Sequence, residues 1–318
     1  MKNLLDKLVA PVSPSGCEAN VSKVIAELAA PYGEVVSDNL GNLTVYKKGN
    51  GRRIMLAAHM DTIGFIATHI DDRGFVRFGT IGGIKPVNVV GHRVIFENDV
   101  IGIVCCERGT EPKDMTADTL YIDTAGAEVR VGDTAVFCGT PYFFGSKVIS
   151  PYLDNRLGCA VCLKALELLQ DTENEIFCTF TVQEEVGCRG ARPAAYTICP
   201  DLAIAVDICG VPDTLGEDAP NSVTVAGGPV IKYMDRRTIS SKAVCELLEK
   251  TAAEQGIAVQ RYVTKQGGTD AGSMFDTRGG VPTGNLAIPI RYTHCPNELA
   301  DMDVALQCAK LLAAVLAK

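Results

Sequence analysis

Residues 54–61 read Ile-Met-Leu-Ala-Ala-His-Met-Asp. Five apolar residues without a polar break describe a strand covered on both faces, as strands are in a parallel sheet flanked by helices. His59 and Asp61 follow at its carboxyl end. In open α/β sheets ligands gather beyond that end, so this octapeptide predicts both a sheet and the edge where its chemistry sits.

The same texture recurs along the chain. The apolar run 176–182 leads into Gln183-Glu184-Glu185, the run 202–206 into Asp207, and the run 286–290 into Arg291-Tyr292-Thr293-His294. Between these strands, apolar residues at helical spacing predict helices over 18–30, 155–170, 241–255 and 302–317, with Gly33 and Gly256 as stops for the first and third. Asp154 opens the second. A turn over 38–42 joins two short strands. Such alternation implies an α/β sheet covered by helices. Residues 63–147 differ. Short β-type runs (75–78, 94–96, 101–104, 120–122) alternate with Gly- and Asp-bearing turns, and no helix of ordinary length is foreseen. That pattern suggests a small barrel or sandwich. The expected organisation is a catalytic domain made of 1–62 and 148–318, interrupted by an all-β domain over 63–147.

A chain of 318 residues is long for one core and accommodates two domains. Its net charge of −8, with no Lys/Arg cluster, argues against nucleic acid or an anionic membrane as partner. Residues 1–10 carry charges throughout, and no apolar run reaches the ~20 residues of a membrane span, so neither a signal peptide nor a span is expected. The 13 cysteines are odd in number and often lie inside apolar runs. They read as buried free thiols in a reducing, cytoplasmic compartment. Cys159 and Cys162 form a CxxC inside a helical pattern, without the second pair a structural zinc site needs.

Only four histidines occur, and His59 and His294 both follow predicted strands. Neutral imidazole and carboxylate oxygen are the usual ligands of hydrolytic zinc or cobalt. Singly, each residue has an ordinary explanation: a core histidine, a turn aspartate, an N-cap for Asp154, a solvated glutamate. Jointly those explanations weaken, because five separate element ends would each place charge at one edge by accident. Asp61, two residues beyond His59, points the same way in extended chain. It can accept the imidazole N–H that a metal leaves free. Glu184 and Glu185 point apart in extended chain, which suits one ligand and one general base.

These residues carry a family resemblance. Pro14-Ser15-Gly16, Ala58-His59-Met60-Asp61, the run 153–158, Gln183-Glu184-Glu185-Val186-Gly187, Ala205-Val206-Asp207, Gly227-Gly228-Pro229-Val230, Gly268-Thr269-Asp270-Ala271 and the run from Gly280 to His294 occur in order over nearly the whole chain. The chain resembles the tetrahedral and glutamyl aminopeptidases, co-catalytic dinuclear metallopeptidases of which some have been labelled endoglucanases. The resemblance implies a mixed, mainly parallel sheet sandwiched by helices, with an inserted small β barrel that helps build a dodecameric homo-oligomer. It implies two divalent metal ions per subunit, zinc first, with cobalt or manganese as alternatives. Asp154 would bridge them, His59 and Asp207 would complete one site, and Glu185 and His294 the other. Glu184 would be the general base and Asp61 the partner of His59, in a two-metal hydroxide mechanism that releases amino-terminal residues from short peptides. Three positions depart from the family: Thr62 replaces an acidic residue, Asn155 an aspartate and Cys295 a serine. None removes a ligand.

Other functions fit less well. A metal-dependent acylase or deacetylase of N-acyl amino acids would use the same ligands. A glycoside hydrolase needs two carboxyls roughly 5–9.5 Å apart across one bond. It leaves the histidines without a task, and the chain has no Trp to stack on sugars. A silent shell protein would have no use for a complete ligand set.

Overall fold

The structure, a computed structural model, describes residues 1–216 and 223–318. Two helices come first, α1 (Lys2–Val9) and α2 (Ala19–Ala29), followed by the hairpin β1 (Glu34–Ser37) and β2 (Leu43–Lys47). The Asp38 carboxylate builds the hairpin turn by accepting from the Leu40 and Asn42 amides at 2.9 and 3.0 Å, and Gly41 takes φ +95°. Helix α1 was not foreseen from its charge-rich sequence. Short helices owe their stability to packing rather than propensity. Here Leu5, Leu8 and Val9 are buried, and the guanidinium of the fully buried Arg156 bonds the Leu8 and Ser13 carbonyls. Gly33 does not close α2, which ends at Ala29. It sits where a Cβ would lie 2.4 Å from the Tyr46 carbonyl oxygen, so it permits the close approach of β2.

The central strand β3 (Arg53–His59) shows why an unbroken apolar run was required. Ile54, Leu56 and Ala58 pack in one cluster with residues of α1, α2 and α3 (Leu153–Leu168). Met55 and Ala57 pack in another, with α4 (Ala191–Ile198) and α6 (Asp270–Phe275). Successive side chains of a strand point to opposite faces, and here both faces are covered. The remaining helices are α5 (Lys242–Glu254) and α7 (Met302–Leu316). Both match the predicted periodicity, and Val244, Leu248, Thr251 and Ala252 of α5 are buried as expected.

The strands after β3 divide into two sheets. β4 (Gly64–Ile70), β5 (Val76–Ile81), β6 (Arg93–Phe96), β7 (Ile101–Cys106), β8 (Leu120–Asp123) and β9 (Thr134–Phe137) close an antiparallel barrel in the order β4-β5-β8-β7-β6-β9. Its interior holds Phe65 against the edges of Phe78 and Phe137 at centroid distances of 4.9 and 5.3 Å. The other strands are β10 (Tyr142–Phe144), β11 (Lys147–Ser150), β12 (Glu175–Thr181), β13 (Leu202–Gly210), β14 (Val230–Met234), β15 (Gln260–Val263), β16 (Thr283–Arg291) and β17 (Glu298–Asp301). Among the described residues the large sheet runs β1-β2-β12-β3-β13-β16-β17-β11-β10, with β14 and β15 beside β16. Its centre, β12-β3-β13-β16, is parallel, the other strands of that order pair antiparallel, and β14 joins β16 antiparallel and β15 parallel. Strand β10 lies within 63–147 by number but pairs in this sheet, not in the barrel. No described helix is long and apolar enough to cross a membrane.

Candidate active site

The parallel centre sets the geometry. Ala57 of β3 is in register with Ala205 of β13, so His59 and Asp207, each two residues on, stand side by side at the carboxyl edge. His59 Nε2 lies 3.6 Å from Asp207 Oδ1 and 3.1 Å from Asp154 Oδ1. Its Nδ1 is held within 3.2 Å of the Asp61 carbonyl and 3.4 Å of the Asp61 carboxylate. Across the cleft, His294 Nδ1 donates to the Gly83 carbonyl at 2.8 Å. His294 Nε2 lies 3.3 Å from Asp154 Oδ2 and 3.2 Å from Glu185 Oε2. At Gly83, from the segment after β5, a Cβ would stand 3.0 Å from His294 Nδ1 and press on the imidazole.

All seven predicted site residues therefore converge, but three of them, Glu184, Glu185 and Asp154, for reasons other than those expected. Glu184 and Glu185 do not diverge by strand pleating. β12 ends at Thr181, and Gln183 takes φ 55° into a turn. Asp61 accepts the Glu184 and Glu185 amides at 3.0 and 3.2 Å and the Ser15 hydroxyl at 2.6 Å, which pins that turn and explains the Pro14-Ser15-Gly16 motif. Nor is Asp154 an N-cap. Within α3 its backbone (φ −79°, ψ 103°) and that of Asn155 are non-helical, and its amide donates to Glu298 Oε2 at 2.9 Å. Each of the three departures makes a hydrogen bond of its own, and Asn155 Oδ1 is left buried without a partner among the described residues. Thr62 Oγ1 donates to the Ser13 carbonyl, Asn155 Nδ2 to the Val206 carbonyl, and Cys295 Sγ accepts from Asn88 Nδ2.

Sequence reading missed several neighbours. Glu298 is buried and accepts the amides of both Asp154 and His294, which ties the two sides of the cleft together. Asp270, in the Gly268-Thr269-Asp270 run quoted above, accepts from Thr181 Oγ1 behind Glu184. Cys188 Sγ donates to Glu184 Oε1 at 2.9 Å. Lys232 lines the cavity, a space of about 540 Å³. Only the Asp270 motif offered a signal, because nothing local marks Glu298, Cys188 or Lys232.

The electrostatics are those of crowded, buried acid. Burial, reinforced by Asp207, Asp270 and Glu185 and opposed by His59, pushes Glu184 well above the usual carboxylate range. Burial and Asp154 push Glu185 up to about 7, against the pull of His294. Burial disfavours charge on His59 and His294. The carboxylates around them prevail, raising His59 well above 6.5 and His294 to about 12. This donor set fits divalent cations. Each histidine has one nitrogen anchored and the other aimed at carboxylates, the arrangement of metal-ligating imidazoles. Asp154 divides its two oxygens between the two groups, and Glu185 Oε1 is buried without a partner among the described residues. His59, Asp154 and Asp207 form one cluster of candidate donors, and Asp154, Glu185 and His294 another.

Imidazole and carboxylate donors of this kind, at the carboxyl edge of a parallel sheet with a further glutamate beside them, define a metal-dependent hydrolase. The sequence pattern of the M42 glutamyl aminopeptidase family matches residues 41–311. The chain is 44% identical to a provisionally named aminopeptidase of Acetivibrio thermocellus, over 98% of this chain and 97% of the relative. Its fold superposes with a TM-score of 0.95 on an aminopeptidase of the archaeon Desulfurococcus kamchatkensis, at 33% identity over 99% of this chain and 94% of that one. A TET peptidase of Pyrococcus horikoshii, which can assemble into a tetrahedron or a large octahedral shell, superposes at 0.88, with 30% identity over 99% and 98% of the two chains. The chain belongs to the M42 glutamyl aminopeptidase family. It is a metal-dependent aminopeptidase.

Proposed function

We propose that two divalent cations are held by His59, Asp154 and Asp207 on one side and by Asp154, Glu185 and His294 on the other, and that Glu184 carries protons between water and the leaving amine. The observation that carries this reading is the division of Asp154, with Oδ1 facing His59 and Oδ2 facing His294. Cations held there supply a more acidic water and polarise the scissile carbonyl. The protein's own part is positional. Glu184 Oε1 is occupied by the Cys188 thiol, which leaves Oε2, 3.9 Å from His59 Nε2, as the proton-carrying atom. Asp61 keeps His59 oriented and holds Glu184 beside the cleft. The surplus of carboxylates attracts the substrate's free α-ammonium and disfavours N-acylated ends. Nitrogen and oxygen donors without sulfur suit zinc, with cobalt or manganese as substitutes.

Lys232 extends the reading to the first residue's side chain. It is 6% exposed, lines the cavity, and has no acidic partner among the described residues. An uncompensated buried ammonium favours a substrate that brings a carboxylate. Amino-terminal Glu or Asp is therefore the preferred residue.

In our reading residues 1–62 and 148–318, with β10 added to their sheet, form the catalytic unit, and the rest of the inserted segment 63–147 serves assembly into a homo-oligomer well above a dimer, which admits short peptides. The shells formed by the Pyrococcus horikoshii relative support this. A cytoplasmic location is supported by 13 cysteines that are all free thiols. The test is hydrolysis of aminoacyl p-nitroanilides beside N-acetylated amino acids, with and without chelator, combined with metal analysis, light scattering and a peptide-length series. Two metal equivalents, chelator-sensitive release from free amino ends and a steep fall with length are expected. Hydrolysis of N-acetyl amino acids alone overturns the aminopeptidase assignment of this site.

A further inference from the structure

The turn that places Glu184 also places a cysteine over it. The Gly187 and Cys188 amides both donate to the Glu184 carbonyl at 2.8 Å, and Cys188 takes φ 52°. Its Sγ thereby returns to Glu184 Oε1. Asp270 closes the group from the start of α6. Ligand-competent atoms of Glu184, Cys188 and Asp270 all lie within 4.8 Å of one another. Cys188 is 3% exposed and Asp270 2%. Asp270 Oδ2 accepts from Thr181, whereas its Oδ1 is buried with no hydrogen-bond partner among the described residues. Glu184 and Cys188 line the cavity, so a small ion reaches them from the substrate side. Of the nearby cationic groups, Arg237 is exposed and bonds Ser273, and His59 faces Glu184 Oε2 at 3.9 Å.

Three donors thus converge, and one of them, Asp270, carries a buried oxygen left without a hydrogen-bond partner among the described residues. One thiol sulfur with two carboxylate oxygens is a borderline-soft set, suited to Zn²⁺ or Co²⁺ and poorly suited to Mg²⁺ or Ca²⁺. We propose that Glu184, Cys188 and Asp270 form an additional, inhibitory site for Zn²⁺ or Co²⁺, filled after the two catalytic positions. Binding forms a metal–sulfur bond and releases the thiol proton from Sγ to solvent. Because that proton must leave a buried, acid-rich setting, the site binds more weakly than the other two. Its occupation ties up Glu184 and stops proton transfer, a consequence that rests on the role given to Glu184 above, whereas the binding itself does not.

The experiment uses the full chain, stripped by chelator, dialysed and titrated with Co²⁺ alone. No proposed ligand of the first two positions is a cysteine. A near-ultraviolet thiolate-to-cobalt charge-transfer band should therefore appear only with the third equivalent, in step with loss of activity towards glutamyl p-nitroanilide. In Cys188→Ser that band should be absent, and half-inhibition, relative to the variant's own activity at two equivalents, should need about tenfold more Co²⁺. In Asp270→Asn the band should remain but require about tenfold more Co²⁺. A third equivalent without a thiolate band, a band that survives Cys188→Ser, or a band without inhibition overturns the proposal. Should Cys188→Ser fail to fold, an unchanged third-equivalent affinity in Asp270→Asn overturns it as well. If the enzyme with two equivalents releases no amino-terminal residue, the function assigned above fails, while the band still reads the third site.

Discussion

Asp61→Asn tests how the site is held together. Oδ1 of Asp61 accepts the Glu184 amide at 3.0 Å and lies 3.4 Å from His59 Nδ1. Oδ2 accepts the Ser15 hydroxyl at 2.6 Å and the Glu185 amide at 3.2 Å. Asparagine offers one acceptor oxygen and one NH₂ group. If the oxygen keeps Glu184 and His59, the NH₂ faces Ser15, whose hydroxyl can rotate to accept, and the Glu185 amide is orphaned. The opposite flip orphans the Glu184 amide. Either way one buried N–H loses its partner, at about 1–3 kcal/mol, and the surviving bonds lose their charge assistance, at roughly 1 kcal/mol each. The expected destabilisation of the metal-free protein is therefore about 3–5 kcal/mol. Loss of the His59 anchor should also cut metal affinity about 10–100-fold. Urea unfolding of the stripped protein reads the first quantity, and dialysis against buffered zinc reads the second. A variant with a wild-type urea midpoint that keeps both cations at wild-type free zinc would refute the view that Asp61 organises the site.

Glu184→Gln should keep both cations and lose about 10²–10⁴-fold in kcat; loss of metal with good activity per bound ion would mean Glu184 is a ligand. Asp154→Ala should empty or disorder both metal positions whereas His59→Ala weakens one first, and two full equivalents in Asp154→Ala by metal analysis would exclude the bridge. Lys232→Met should lower the ratio of kcat/KM for glutamyl over leucyl p-nitroanilide by about tenfold or more, and an unchanged ratio places acidic selectivity elsewhere. For pH, burial works against the charge on Asp213, but Arg291, at 2.6 and 3.0 Å, outweighs it and holds the carboxyl below its ordinary 3.8. A lowered folded-state pKa contributes stability above the unfolded pKa that is lost as pH falls through the folded one. The gap in urea midpoint between wild type and Asp213→Asn should thus be full at about pH 6 and close below about pH 3.8; a gap that persists unchanged in acid would exclude this pair as its source.

Much was legible in the sequence because it was local. The unbroken run 54–58 required cover on both faces, and β3 indeed shares its residues between two clusters. The helix over 241–255 followed from a spacing of apolar residues that needs no partner to be seen. The short alternating runs after residue 63 announced a β unit, because strand pleating and turn chemistry are properties of neighbours in the chain. The ligand candidates were visible because strand ends in a parallel sheet face one edge, so His59, Asp207 and His294 could be grouped before their distances were known.

What tertiary structure alone decided lies between residues far apart in sequence. Glu184 faces His59 and Glu185 faces His294 through a turn pinned by Asp61, more than a hundred positions earlier, rather than through the pleat of a strand. Asp154 faces both ways because Glu298 holds its amide, not because a helix begins there. Helix α1 is held by its buried Leu5, Leu8 and Val9 and by a buried arginine from α3 that reaches its end. Cys188 lies four residues after Glu184 in one turn, but the meeting of that pair with Asp270 is a contact across the fold. A sequence reports periodicity and propensity along the chain. A buried hydrogen bond or a shared cation is a contact between segments, and only the packing that removes them from water makes such a contact strong enough to set their geometry.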